Sequence, residues 1–346
     1  MSGTDPAGSD LGAVTVVIRA AGERTEAACR AAILAQGVDA AQLVTIREAP
    51  FSRAMRAGYQ AGVDAGRPWT LTIDADVLLR PGAVAALLAQ AARQPARVFE
   101  IQGFVLDKLF VTLREAGNHL FRTALLPQLI DCIPEEGTSL RPESTAMRPE
   151  STAMQRMAAR GYDWVNVPYV VGLHDFEQSN QDIFRKSFTH AQKHLHLLPE
   201  LLPKLRRRVA GDGDFAVMIE GLAEGLRAES EVRIDIRHRP FAERFAALAI
   251  PEKPPLPEGD PPPGAVEQIL RDWAAAPDLT VRALPVSGPQ AIALDGSRRF
   301  TALGRAQALV ARKRAEIGMA RTLMLAAAEG AERIGAGLRR ISEKRG

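Results

Sequence analysis

Between residues 13 and 130 short β-branched apolar runs alternate with longer alanine-rich runs, and this alternation restricts the fold more than any other feature. AVTVVI at 13–18 predicts a buried strand, and 25–36, with Ala28, Ile33 and Leu34 on one side, predicts a helix stopped by Gly37. The pattern repeats. A strand is expected at 43–47, a helix at 52–65 with Ser52 as its N-cap, a strand at 69–73, and a helix at 81–92 with Pro81 near its start. Further strands are expected at 98–105 and 164–171. Helical patterns occupy 155–160, stopped by Gly161, and the basic stretch 182–208. Strands interleaved with helices make an α/β fold, a mostly parallel sheet with helices on both faces. Such sheets bind ligands beyond the carboxyl ends of their strands.

The 346 residues suffice for two domains, or for one large domain and an appendage. Residues 1–12 are polar, with no signal-peptide core, and no run nears the roughly 18 apolar residues of a membrane span. Cys29 and Cys132 are the only cysteines, giving neither a disulfide framework nor a zinc spacing. A cytoplasmic protein is expected. Residues 13–200 form the main domain, 201–250 a helical extension, and 251–264, with seven prolines, a stiff extended linker. Beyond it, in 265–346, apolar or alanine residues recur every three or four positions from Ala306 to Ile341, a heptad seam interrupted at Lys313. Residues 302–346 hold ten Lys or Arg against four Glu, a net +6 within a whole-chain +3, so the rest of the chain is acidic by 3. The tail therefore points to a homo-oligomer or to packing on the main domain. Peripheral contact with the inner face of a membrane is the next reading. Nucleic acid is not an expected partner, because the main domain is not basic.

The sharpest chemical signal is TLTIDADVLLRP at 70–81, an apolar strand that runs into Asp74-Ala75-Asp76 and then a proline-led helix. Carboxylates at i and i+2 past a strand end suit a hard cation shared with substrate phosphates, Mn²⁺ or Mg²⁺. The bland reading of the same residues is a polar loop with Asp76 capping the next helix. His190, His194 and His196 sit in FTHAQKHLHLLP, where the first two share a helix face but lack a third ligand. Arg185, Lys186 and Lys193 add positive charge there, for an anionic acceptor, a leaving diphosphate or solvent.

The order of these elements resembles glycosyltransferase family 2, whose members have the GT-A fold. The resemblance is carried by VTVVIRAAGERTEAACRAAILAQ, then FSRAMRAGYQAGVDAG, then TIDADVLLRPGAV, then AGNHLFRTALLP, where the family runs through a glycine into an Arg-bearing helix. RPESTAMQRMAARGY and VPYVVGLHDFEQ complete it, and it spans residues 13 to about 196. It implies a metal-dependent enzyme that moves a sugar from a nucleotide-sugar donor to a hydroxyl of a glycan, a lipid-linked saccharide or a small molecule, with inversion. Donor contacts would come from Arg19, Glu23, Glu48, Arg53, Asp74 and Asp76. The metal would be held by Asp76 and His174, with Asp74 a further candidate, and the acceptor side would include Asn118, Arg122 and Arg185.

The resemblance also bears on a duplication, since residues 141–154 are RPESTAM written twice. In the family the catalytic carboxylate lies about eleven residues before the glycine of Arg-Gly-Tyr. Glu150 is eleven residues before Gly161 and Glu143 eighteen. The base is therefore assigned to Glu150. Glu143 is the alternative, because a seven-residue insertion preserves helical phase. Two departures fall in the base pocket. Glu48 stands where the family often has Asp, and Arg19-Ala20 follows the first strand in place of its proline and Tyr-Asn pair.

Other classes fare worse. A Rossmann oxidoreductase needs Gly-x-Gly-x-x-Gly after the first strand, and IRAAGERTEA has one glycine. A nucleotidyltransferase shares the metal-aspartate logic but needs a glycine-rich basic loop there. A retaining GT-A enzyme keeps the Asp-x-Asp without requiring Glu150. An association protein would work through its heptad tail alone.

Overall fold

The computed structural model describes residues 10–134, 149–194, 197–228, 241–276 and 279. Glu143, His196 and the heptad tail lie outside the described residues.

Eight strands form one sheet in the order β2-β1-β3-β7-β5-β8-β4, with β6 paired to β5. They are β1 Val14–Arg19, β2 Leu43–Ile46, β3 Trp69–Asp74, β4 Val77–Leu79, β5 Val98–Asp107, β6 Thr112–Glu115, β7 Asn118–Arg122 and β8 Asp163–His174. Strands β1, β2, β3, β5 and β8 share one direction, while β4, β6 and β7 oppose it. Every residue of β1 is buried, as a strand with neighbours on both sides and helices on both faces requires. The helices α1 Glu26–Leu34, α2 Phe51–Ala65 and α3 Ala83–Ala92 follow the strands as the alternation predicts. The arrangement is a mixed, mostly parallel α/β sheet. Val16, Ile18, Leu71, Ile73, Val84, Leu87 and Ile101 fill the main core.

Local readings need two corrections. Ser52 does not cap α2. Pro50 holds that position without a side-chain cap, and Ser52 lies buried in the first turn. The stretch around Arg122 is not a helix. Residues Asn118–Arg122 form β7, which runs antiparallel between β3 and β5, and the helix α4 Leu126–Cys132 begins only later. A four-residue buried run fills the gap that two parallel strands leave between them. The turn into β7 needs Gly117. Its φ is +61°, and an added Cβ would lie 2.6 Å from Val77 Cγ2.

A second core lies between α6 Asn180–Lys193 and α8 Asp214–Arg227. Phe184, Phe188, Phe215, Met218 and Leu222 fill it. Gly221 and Gly225 bring the helices close, since a Cβ at Gly225 would meet the Phe188 carbonyl at 2.3 Å. The remaining helices are α5 Pro149–Ala159, α7 Leu198–Arg208, α9 Ala242–Ala247 and α10 Pro263–Ala274. No described helix is long and apolar enough to cross a membrane.

Residues 251–262 carry no helix or strand and lie against the domain, while α10 begins at Pro263, inside the expected linker. Glu252 accepts hydrogen bonds from the backbone of Asn180 at 2.6 Å and Gln181 at 3.0 Å, at the N-terminus of α6. Arg24 donates to the Pro254 carbonyl at 2.8 Å. Beyond the segment, Val266 of α10 is buried with Leu78, Leu106, Leu173 and Phe176. Glu267 receives both arms of Arg80 at 2.6 and 2.8 Å.

Candidate active site

The carboxyl ends of four of the five co-directional strands, β1, β3, β5 and β8, bring Arg19, Asp74, Asp107 and His174 to one end of the sheet. Two clusters stand there, and the Asp-x-Asp divides between them.

The first is built on Arg19 and Asp74, which are direct partners in the β1–β3 register. Arg19 Nε donates to Asp74 Oδ1 at 2.8 Å and Arg19 Nη1 to Glu150 Oε1 at 2.5 Å. The guanidinium also lies over the Phe51 ring, 5.1 Å from its centroid. Burial alone would lower the Arg19 pKa, but the carboxylates of Asp74 and Glu150 outweigh it and keep the cation fully charged. Its Nη2 is buried without a hydrogen-bond partner among the described residues. Behind Glu150 stands His119. Its Nε2 is 3.6 Å from Glu150 Oε1, and its Nδ1 is 2.6 Å from Glu100 Oε1. Burial disfavours the imidazolium, yet Glu150 and Glu100 together raise the His119 pKa above its ordinary value.

The second cluster joins Asp76, His174, Asp175 and Lys186. His174 Nε2 lies 3.5 Å from Asp76 Oδ1. Its other nitrogen, Nδ1, is 2.8 Å from Asp107 Oδ2 and 3.1 Å from Asp175 Oδ2. Asp107 is fully buried and also receives Arg114 Nε at 2.5 Å. Lys186 Nζ donates to Asp76 Oδ2 at 2.5 Å and to Asp175 Oδ1. Asp175 turns the chain after β8 with a φ of +63°, a left-handed conformation that aspartate tolerates better than most residues. Its backbone N–H bonds the Asp76 carbonyl at 3.2 Å, so the two loops are tied together.

Charge follows from these contacts. Burial works against ionised Asp76, but Lys186 and His174 hold its carboxyl well below the usual range. Burial likewise opposes a charged His174, and the carboxylates of Asp175, Asp76 and Asp107 overcome it and raise its pKa to about 9. Glu23, in the loop before α1, goes the other way. Burial and then the charge of Asp76 raise its pKa to about 7, while its Oε2 accepts the Ala21 N–H at 2.6 Å.

The residues fit a divalent ion. Asp76, His174 and Asp175 each offer a ligand atom, all within 4.8 Å of one another. Asp76 Oδ1 is buried with no hydrogen-bond partner among the described residues and faces His174 Nε2 at 3.5 Å, a nitrogen that can ligate an ion once the imidazole gives up its proton. A carboxylate behind the imidazole, here Asp107, fixes its ring as metal-binding histidines commonly require. Imidazole with carboxylate oxygens suits Mn²⁺ as well as Mg²⁺.

The other expected residues are scattered. Glu48 and Arg53 pair with each other at 2.9 Å on an exposed surface after β2, joined by no ion pair to either cluster. Asn118 is buried, with its Oδ1 accepting Gly103 N at 2.8 Å and its amide donating to Gly103 O and Ala116 O. It ties β7 to β5 and offers nothing to an acceptor. Arg122 is corrected outright. Because β7 runs antiparallel, Arg122 pairs with Trp69 at the opposite end of the sheet and stacks on that ring at 4.6 Å. Arg185 pairs with Asp182 at 3.1 Å, while its neighbour Lys186 turns into the site. His190 and His194 pack around Phe110, with ring centroids 4.4 and 5.8 Å away. No sequence motif marks Glu100, Asp107, Arg114 or His119. They reach the site through strand pairing, and a charged residue inside an apolar strand is their only signal in the sequence.

No family model and no curated protein matches the sequence. Among solved structures the chain is similar to mannosyltransferase PcManGT from Pyrobaculum calidifontis, in complex with GDP-Man and Mn²⁺, at 13% identity and a TM-score of 0.34. That likeness covers 75% of this chain and 84% of the other. It is also similar to a glycosyltransferase involved in the glycosylation of the major capsid of PBCV-1, at 10% identity and a TM-score of 0.32, over 44% and 80% of the two chains. CMP:2-keto-3-deoxy-manno-octonic acid synthetase complexed with CTP is similar at 13% identity and a TM-score of 0.31, over 46% and 92%.

Proposed function

We propose that the protein is a metal-dependent, inverting glycosyltransferase that uses a nucleotide-sugar donor. The observation that carries this reading is the pairing of two chemistries at one end of the sheet. A carboxylate held by arginine, Glu150 on Arg19, stands beside an imidazole–carboxylate set, Asp76 with His174 and Asp175.

Asp76 and His174, with Asp175 in reach, would hold a divalent ion, whose charge would offset the negative charge that builds on a departing nucleoside diphosphate. The chain's own residues do the rest. Asp74, partly exposed beside Arg19, faces where the donor ribose would lie. Glu150 accepts the proton of the acceptor hydroxyl as its oxygen attacks the anomeric carbon, and its tether to Arg19 fixes the direction of that attack. Attack opposite the leaving group inverts that carbon. The acceptor is a glycan, a lipid-linked saccharide or a small molecule.

The test is a panel of nucleotide sugars with Mn²⁺ or Mg²⁺ and mixed acceptors. Release of nucleoside diphosphate is followed, and the product anomer is read by NMR. Ion-dependent release with an inverted product is expected. Release that ignores chelation, or a retained anomer, contradicts the reading.

A further inference from the structure

The second cluster contains a cation of its own. Lys186 Nζ sits on Asp76 Oδ2 at 2.5 Å and on Asp175 Oδ1, and both residues belong to the set that fits a divalent ion. The side chain is largely buried, so this is no surface pair. Its helix is well anchored, because Ile183, Phe184 and Phe188 of α6 are buried against α8. The backbone of Lys186 is thus fixed, while its four-carbon stem leaves the ammonium free to swing.

Building on the glycosyltransferase reading, we propose that Lys186 is an internal competitor for the divalent ion. In the metal-free protein its ammonium neutralises Asp76 and Asp175, and an ion gains both carboxylates only as Lys186 leaves them. Two cations in so small and dry a pocket repel strongly. Asp76 Oδ1 and His174 Nε2, 3.5 Å apart, offer the ion a first foothold as the imidazole releases its proton. A diphosphate changes the balance, because its oxygens give the displaced ammonium a new partner. Ion and diphosphate then strengthen each other's binding, and the ion alone binds weakly. Lys186 is a positioning residue in this account, one that makes metal uptake conditional on the donor.

The test titrates Mn²⁺ alone into the full-length protein and reads the free ion by electron paramagnetic resonance. Wild type is compared with Lys186→Gln, which keeps a hydrogen-bonding side chain without the charge, and with Lys186→Arg, which keeps the charge. Lys186→Gln should bind Mn²⁺ at least about tenfold more tightly than wild type, and Lys186→Arg no more tightly. Equal or weaker binding by Lys186→Gln overturns the competition and leaves the metal-dependent reading standing. No uptake by wild type or Lys186→Gln overturns both. Should Lys186→Gln not fold, Mg²⁺ is titrated into ¹⁵N-lysine-labelled wild type and the Lys186 ammonium signal, assigned through Lys186→Arg, is followed. It should shift or disappear as Mg²⁺ saturates, and an unchanged signal contradicts the proposal.

Discussion

Asp74 and Asp76 are two residues apart, yet they belong to different chemistries. Asp74 ends β3 within the sheet register, and its partner is the fixed cation Arg19, which also holds Glu150. Asp76 lies past the strand, and its partners are a lysine on a flexible stem and an imidazole. The first cluster is closed, since strand pairing and a guanidinium fork set it. The second is open in that its cation, Lys186, rides on a flexible stem and is not set by strand register. The contrast teaches that a short acidic motif is two positions rather than one site, and that the strand end between them decides what each aspartate meets.

The largest expected effect is on turnover. Glu150→Gln should lower kcat by roughly 10²–10⁴-fold and leave nucleotide binding within about twofold, checked by product release and calorimetry. If Glu150→Gln turns over normally, the closed cluster has no base. Next is the stability of that cluster. Arg19→Met strands two carboxylates, and with Asp74 partly exposed the loss should be about 3 kcal/mol, measured by urea unfolding. A loss under about 1 kcal/mol would mean that the fork is not what holds the cluster together. A smaller effect separates the aspartates. Asp74→Asn should weaken donor binding about tenfold and leave Mn²⁺ uptake unchanged, whereas equal damage to both would merge the two clusters into one.

The remaining effect is on pH dependence without metal. The His174 pKa is about 9 in the folded chain and about 6.5 unfolded. Its contribution is therefore fully present below about pH 6.5 and is lost as pH rises through 9. In a chelator, unfolding free energy should fall by on the order of 2 kcal/mol from pH 6 to pH 9.5, and His174→Gln should remove most of that slope. A slope untouched by His174→Gln would place the titrating group elsewhere.

Much of the fold can be read from the sequence because buried parallel strands and amphipathic helices write their periods into it. The runs at 13–18, 43–47 and 69–73 return as β1, β2 and β3 within a residue or so. That Asp76 meets His174 is expected only from the family resemblance; they meet because His174 ends β8 and Asp76 lies just past β3, which runs in the same direction. What cannot be read is direction and angle. NHLFR carries no mark of its antiparallel course, so Arg122 is placed at the wrong end and His119, three positions earlier, goes unnoticed. Adjacent helical residues point about 100° apart, so a basic stretch does not say that Lys186 rather than Arg185 enters the site. The prolines at 251–262 sit outside any helix or strand, but nothing local says that Glu252 will cap α6.

The central claim, an ion on Asp76 that bridges to a diphosphate, is tested most directly by a thermal-shift titration of nucleoside diphosphates with and without Mn²⁺. Wild type should be stabilised by one of them only when the ion is present, Asp76→Asn should lose that response, and Glu150→Gln should keep it. Stabilisation that is the same in chelator, or that survives in Asp76→Asn, would contradict the account.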